Sequence, residues 1–548
     1  MRAARATTSG ALLTIACLAF APSALIAQGG NLATITDRVF ADWNSTHGPG
    51  CAVGIARGGV TLLERGYGMA DINGERPITP HTILESGSVA KQFTAAAVMV
   101  LVNDGKVSLE DDARKYIPEL PVYGRTITVR HLLTHTSGLR EWSNLFAWQG
   151  WPRGTRVHTQ SDVLQVITAQ KSLNYPVGDH YSYTNSGFLL LRTLVERVSG
   201  QPFATFTRER LFVPLGLTHT SWRDDYTRLV PGLAQAYRRA SDGWHLDMPF
   251  DHVIGAGGLY TTTGDWLRWN DALTKKTLGA GVVDSLTRRM KLTNGLEIAY
   301  ALGLTVNTYR GTREISHSGS TAGYSTYLAR YPELGDLSIA VLCNAAGAGA
   351  TGYTRQIVDA LNPQLPRAAA PDTVTPNQAT LLPLRGLYED TRFHAVTTLD
   401  TVNGMLRQGS TPVRTLRDGT LLIGTQRLRA VTGGAGAPRL LGTTGDGDTI
   451  SYVWRAASAW KPTAAELTAL AGRYRSDEIG VTFTVAVSNG TLTVSPRVGV
   501  TDTLTPTFRD AFDSGSGAVW FTRDNKGRVT AMHFGEARVW DFVSARVP

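Results

Sequence analysis

The chain predicts an α/β protein of the α+β kind. One antiparallel sheet flanked by helices is expected over residues 32–362, followed by two small antiparallel β-barrels over 383–458 and 464–548. Three observations predict it. Strand-like runs stand at both ends of the first unit with helical periodicity between them, the order expected when both ends join one sheet covered by helices. Proline-rich sequence over 363–382 (Pro363, Pro366, Pro371, Pro376) then reads as a linker, and beyond it the texture changes to short alternating runs punctuated by Asn-Gly and Asp-Gly. That last region also repeats at an offset of 86: Leu384-Arg-Gly386-Leu-Tyr388 recurs as Leu470-Ala-Gly472-Arg-Tyr474, and Asn403-Gly404 recurs as Asn489-Gly490. Each repeat has room for about eight short strands, enough to close a barrel.

Composition narrows the class. The 548 residues are 42% hydrophobic and 18% charged, which excludes a disordered chain, a collagen and a polytopic membrane protein. The formal net charge of +9 is spread thinly with no basic block, so no nucleic-acid partner is expected; association with an anionic cell envelope is the partner it suggests. Arg2 and Arg5 precede an uncharged stretch from Ala11 to Ala27, so residues 1–27 read as a signal peptide and the protein as secreted or periplasmic. Leu25 is larger than the residue usually found three positions before a cleavage site, which keeps an uncleaved anchor as the alternative.

Taken in order, Gly50 to Gly68 reads as a hairpin around Arg57-Gly58-Gly59. Helices are expected over 88–102, stopped by Asn103-Asp104-Gly105, over 128–134 with Thr128 as cap, and over 161–170 and 186–199. Strands are expected over 300–308, 325–331 and 337–344, with a helix from 353 to 361. Cys51 and Cys343 both fall in apolar strand-like runs and read as buried thiols, with a disulfide as the alternative.

The chemistry gathers in three short stretches. Ser88 and Lys91, three apart on a helix, lie one turn from each other, so an amine whose pKa is lowered by its apolar surroundings can take the serine proton. Ser88 at the helix start also places backbone N–H groups near a developing oxyanion. Tyr183-Thr-Asn185 offers a phenol to relay that proton and an amide to hold a substrate carbonyl. His317-Ser-Gly319-Ser320 is expected at the start of a late strand, where Gly319 would let substrate lie close and the strand would supply a second oxyanion N–H.

In this order, Ser88-x-x-Lys91, Tyr183-x-Asn185 and His317-x-Gly319 resemble the serine β-lactamase and penicillin-binding-protein superfamily. The likeness is to its large branch of class C-related enzymes, D,D-carboxypeptidases, D-aminopeptidases and esterases. Supporting stretches are His131-Leu-Leu-Thr-His135-Thr-Ser-Gly138, Pro214-Leu-Gly-Leu217 and Gly319-Ser-Thr-Ala-Gly323. The resemblance implies a β-lactamase/transpeptidase-like domain with lipocalin-like barrels behind it. It also implies Ser88 as acylated nucleophile, Lys91 as base, Tyr183 as relay, Asn185 as substrate ligand, and the N–H groups of Ser88 and Ser320 as oxyanion hole. His317 stands where many penicillin-recognising members carry lysine, which argues against strong β-lactamase activity. D-aminopeptidase-like and esterase-like members carry His there. The implied substrate is a small peptide, amide or ester, D-amino-acid-containing peptides first, with a non-hydrolysing binder or sensor as the other class.

No cofactor and no metal are expected. His131 and His135 lack the glutamate of a zinc protease helix and read as anchors of the Thr136-Ser137-Gly138 turn. Gly255-Ala-Gly257-Gly258 is too short for a dinucleotide loop. Trp142, Phe146, Trp148 and Trp151 read as packing under a loop, with an aromatic lid over the acyl pocket as the sharper alternative.

Overall fold

A computed structural model of the chain describes residues 22–367, 370–375, 378–432 and 437–548. Of the expected signal peptide, residues 1–21 lie outside the described residues and the remainder opens helix α1 (Pro22–Val39). The hairpin follows as β1 (Cys51–Arg57) and β2 (Val60–Tyr67), with Gly58 and Gly59 at φ 55 and 80. The main helices of the middle are α2 (Lys91–Asn103), α3 (Val129–Leu133), α4 (Trp142–Trp148), α5 (Gln160–Thr168), α6 (Asn185–Ser199) and α7 (Thr263–Thr274). Four strands close the unit, β3 (Thr305–Tyr309), β4 (Thr312–Thr321), β5 (Tyr324–Tyr331) and β6 (Leu337–Cys343), before helix α8 (Ala350–Leu361).

These strands form one antiparallel sheet in the order β3-β4-β5-β6-β1-β2, so the N-terminal hairpin joins the last strand of the unit. Alternation along the central strands divides the core. Ala52, Ala340 and Leu342 face the helical middle, while Val53, Ile55, Ile339 and Val341 face α1 and α8 through Leu32, Phe40, Ile357 and Val358. Helix α2 is buried from Lys91 to Leu101, the state of a helix at the centre of a core rather than on its surface.

Three expectations change. Cys51 and Cys343 are not two free thiols: they stand directly opposite each other in the β1–β6 register, with Cα atoms 4.0 Å apart, and form a disulfide. The strand expected over 300–308 begins only at Thr305, because Gly303, at φ 72, passes so close to α2 that a Cβ would sit 2.7 Å from the Lys91 carbonyl oxygen. And His317–Ser320 lie not at the start of a strand but in the second half of β4, a strand hidden in the sequence by its polar residues. Glu314 is fully buried there, accepting from Tyr331 Oη (2.6 Å) and Arg355 (2.8 Å).

Beyond residue 362 two eight-stranded antiparallel barrels close, one from Gly386–Asp390 to Thr449–Ala456 and one from Gly472–Ser476 to Val539–Val547. The repeat has a physical meaning: Tyr388 Oη donates to the Leu384 carbonyl (2.8 Å) and Tyr474 Oη to that of Leu470 (2.6 Å), pinning each first strand to the turn before it. Asn403-Gly404 and Asn489-Gly490 are left-handed at both positions, as tight hairpins need. The 363–382 stretch is less plain than a bare linker, since Thr373–Val374 pairs with the first barrel and Gln378–Leu381 is helical.

The second barrel is fused to the first unit. Trp148 of α4 stacks on Phe534 at 5.1 Å and packs against the tilted ring of Phe542 at 5.0 Å, inside the core shared by barrel and helices. Arg140 forms a buried ion pair with Glu478 (2.8 Å) and donates to the Asp541 carbonyl (2.5 Å). The tryptophan-rich segment is therefore chiefly a docking surface; Trp142 is its member that lines the cleft described below, and Trp148 is not.

Candidate active site

The site begins at the turn that carries Ser88. The Glu85 carboxylate, fully buried, accepts from Arg223 Nε and from Gly258 N (both 3.1 Å), and Ser86 N donates to Leu259 O (2.8 Å). Gly87 follows at φ 52, and Ser88 sits in a 3-10 turn, Gly87–Ala90, that runs into α2. Strand β4 presses against this turn. Thr326 Oγ1 donates to Ser86 O (2.7 Å), and a Cβ on Gly319 would collide with that same carbonyl. Gly319 lines the cleft described below, and its missing side chain makes room for the Ser88 turn as well. A Cβ on Gly87 would lie 2.6 Å from Ser320 N, so the backbone of Ser320 reaches the Gly87–Ser88 turn from the opposite side.

Lys91 is fully buried, and its Nζ sits 3.1 Å from Ser88 Oγ, 2.7 Å from Asn185 Oδ1 and 2.7 Å from Ala256 O. Burial drives its pKa well below the ordinary value, Glu141 pulling the other way. A neutral amine has two N–H donors and one lone pair. The two acceptors, Asn185 Oδ1 and Ala256 O, match the donors, which leaves the lone pair for the Ser88 hydroxyl proton.

Asn185, the first residue of α6, is held in turn by the buried carboxylate of Glu141, the residue just before α4. That carboxylate accepts from Asn185 N (2.5 Å), Asn185 Nδ2 (3.1 Å), Thr184 Oγ1 (3.1 Å) and Ser143 Oγ (3.0 Å). Tyr183 lies beside them with its ring 4.8 Å from Lys91 Nζ, and its hydroxyl is buried near that of Ser88. Burial pushes the phenol above its ordinary pKa, the nearby Ser88 hydroxyl pulling the other way, so it stays protonated at neutral pH. His135, at φ 57, backs the Tyr183 ring at 4.3 Å and accepts from Thr184 N (3.3 Å), while His131 caps α3 through the Thr128 main chain (3.1 Å).

His317 occupies the wall of the site but in a quiet state. Its Nδ1 donates to Ser318 O (2.6 Å) and its Nε2 accepts from Tyr300 Oη (2.9 Å); it makes no hydrogen bond to Ser88, Lys91 or Tyr183. Burial, with Lys91 adding to it, lowers its pKa to about 3, so it is a neutral imidazole at physiological pH. With both ring nitrogens engaged, His317 forms part of the wall of the cleft described below.

All of this opens into a cleft of about 650 Å³. Strand β4 runs past the end of β3 at Ser316, leaving His317–Thr321 along one wall. The second barrel contributes Arg538, from its tight turn at Ala537-Arg538, to the lining of the cleft. Thus the sequence-predicted Ser88, Lys91, Tyr183, Asn185, His317, Gly319 and Ser320 converge on one place. Glu141, Ala256, Tyr300 and Arg538 are the members that sequence reasoning missed. Of these, Ala256 lay within a glycine cluster whose φ values of 107 at Gly255 and 77 at Gly258 mark a special turn.

Comparison with known proteins places the chain. It is 28% identical over 294 residues to penicillin-binding protein 4* of Bacillus subtilis, covering 50% of this chain and 64% of that one. It is 27% identical over 342 residues to a D-aminopeptidase of Cereibacter sphaeroides, covering 60% and 63%. The chain thus spans less than two thirds of these relatives' lengths. Among solved structures, the penicillin-binding protein homologue from Pyrococcus abyssi superposes with a TM-score of 0.55 at 19% identity, over 86% of this chain and 98% of that one. The D-amino acid amidase from Ochrobactrum anthropi does so with 0.52 at 21%, over 61% and 99%. The family model described as Beta-lactamase matches residues 34–362, and with Ser88, Lys91 and Tyr183 assembled within that span, the chain belongs to the Beta-lactamase family.

Proposed function

We propose that the protein is an exported serine hydrolase that cleaves amide or ester bonds through an acyl-enzyme on Ser88, with D-amino-acid-containing peptides as its substrates. The observation that carries this is Lys91, buried and hydrogen-bonded to Ser88 Oγ while its other contacts are two acceptors. Lys91 takes the Ser88 proton as Oγ attacks the substrate carbonyl. The N–H groups of Ser88 and Ser320 hold the oxyanion. Tyr183, protonated and within reach of Ser88, passes the proton to the leaving amine or alcohol. Water then attacks the ester along the same path in reverse, regenerating the Ser88 hydroxyl and releasing the acid. The D-aminopeptidase and D-amino acid amidase among the similar proteins support the choice of substrate. A buried disulfide between Cys51 and Cys343 supports an oxidising compartment and hence export.

The reading is tested by labelling with a fluorophosphonate and a fluorescent penicillin, and by turnover of D-amino-acid amides, D-Ala-D-Ala peptides, acyl esters and β-lactams. Wild type is expected to label at Ser88 and to turn over D-configured amides ahead of β-lactams. Turnover that survives in Ser88→Ala would remove the nucleophile assignment.

A further inference from the structure

The charge of the cleft says which substrates fit it. Among the described residues lining it, the charged ones are Arg153 and Arg538, and no aspartate or glutamate lines it. Arg153 is already paired, 3.0 Å from Asp251. Arg538 is not: among the described residues its guanidinium has no hydrogen bond and no ion pair, and it lies over the Tyr183 ring at 4.9 Å.

Its position is built, not incidental. The Arg538 carbonyl accepts from Glu141 N (3.3 Å) and Asn174 Nδ2 (3.0 Å), and Ala537 O accepts from Ser182 Oγ (3.2 Å). Asn174 Oδ1 accepts from Trp540 N (2.9 Å), and Glu536 accepts from Asn144 (2.5 Å). The main chain of the turn is thereby fixed to the catalytic unit while the side chain is left for something else. His317, neutral and with both ring nitrogens engaged, supplies no positive charge to the cleft.

Resting on the acyl-enzyme reading above, we infer that Arg538, delivered by the second barrel, binds a carboxylate on the leaving-group side of the scissile bond. The substrates are then peptides with a free C-terminal carboxylate one residue beyond the cleaved amide, not peptides recognised by a free N-terminal ammonium. Tyr183 fixes the side: it hands its proton to the leaving group, and Arg538 lies over its ring. A guanidinium suits a carboxylate because it offers paired donors in one plane. An ammonium in the same cleft would meet the unpaired Arg538 and, among the described lining residues, no carboxylate.

The test uses the full chain and a neutral fluorophosphonate that labels Ser88, with protection by three ligands: N-acetyl-D-Ala-D-Ala, its C-terminal amide, and D-alaninamide. In wild type the free acid is expected to protect at concentrations about ten- to a hundredfold lower than its amide, the range of a charge-assisted hydrogen-bonded pair. Arg538→Gln should erase that difference without lowering Tm, since the turn is held by its main chain. Arg538→Glu should turn the preference toward D-alaninamide. Equal protection by acid and amide in wild type, or a difference that survives in Arg538→Gln, overturns the inference while labelling of Ser88 leaves the acyl-enzyme reading standing. Failure of Ser88 to label removes both.

Discussion

Replacing Glu141 by glutamine tests the site through a residue that does not touch the nucleophile. Both carboxylate oxygens of Glu141 accept from Asn185, one from its backbone N–H at 2.5 Å and the other from its side-chain amide at 3.1 Å. Whichever oxygen becomes NH2, a buried donor then faces a donor, at a cost of about 1–3 kcal/mol. The cheapest escape is for the Asn185 amide to turn over, which points its NH2 at Lys91 and removes the acceptor now 2.7 Å from Nζ. Losing that hold on the base is expected to lower kcat/KM about 10- to 100-fold, or about 1.4–2.7 kcal/mol of transition-state stabilisation. The pH dependence runs the other way. Lys91 acts as a base only when neutral, that is, above its pKa, and the Glu141 charge raises that pKa. Removing the charge lowers it further, so the acid limb of the kcat/KM profile should move to lower pH even as the plateau falls. The assay is kcat/KM against pH with an ester or amide substrate that labels Ser88. A plateau within twofold of wild type, or an acid limb displaced upward, would refute the reasoning.

Further predictions concern docking, the disulfide and the wall histidine. Arg140→Ala leaves Glu478, 10% exposed, without its partner and is expected to cost about 3–5 kcal/mol, read as a lower urea midpoint; an unchanged midpoint would show that the barrel is not held there. Replacing Cys51 and Cys343 together by Ala opens a loop of 292 residues and should cost about 3–5 kcal/mol, matching the wild type measured with reductant. His317, with its pKa depressed to about 3, is charged only below that value. Its imidazole nitrogen resonances should show the neutral Nδ1–H tautomer unchanged from pH 5 to 8, and a titration within that window would contradict the assigned hydrogen bonds.

What the sequence made legible was whatever is local. Ser88 and Lys91 share a helical turn, Asn403-Gly404 and Asn489-Gly490 make their own hairpins, and Thr128 caps the helix beside it. That both ends of the unit join one sheet could be read because β1 and β6 are near-continuous apolar runs, buried on both faces. Strand β4 escaped because its buried positions are polar and satisfied by distant groups, Glu314 by Tyr331 and Arg355 above all. Glu141 escaped for the same reason, since its partners Thr184 and Asn185 lie more than forty positions on and nothing nearby marks it as buried. Arg538 was illegible altogether: a lone arginine in a hairpin turn becomes a cleft residue only through docking between units. The cysteine pairing lay between these cases, with both strands readable but their register not.

The sheet order has a consequence for when the site comes into being. Strand β1 meets β2 across the turn at Gly58-Gly59, but its other edge waits for β6, nearly three hundred positions later. Barrel strands pair mostly with their sequence neighbours and carry little loop-closure cost, so they can assemble ahead of that long-range zipper. The Ser86–Ser88 turn takes its final shape only against β4 and Thr326, inside the same sheet. A half-assembled chain therefore holds Ser88 without the β4 backbone beside it and without the packing that surrounds Lys91. Topology itself makes the geometry around Ser88 one of the last things to be completed.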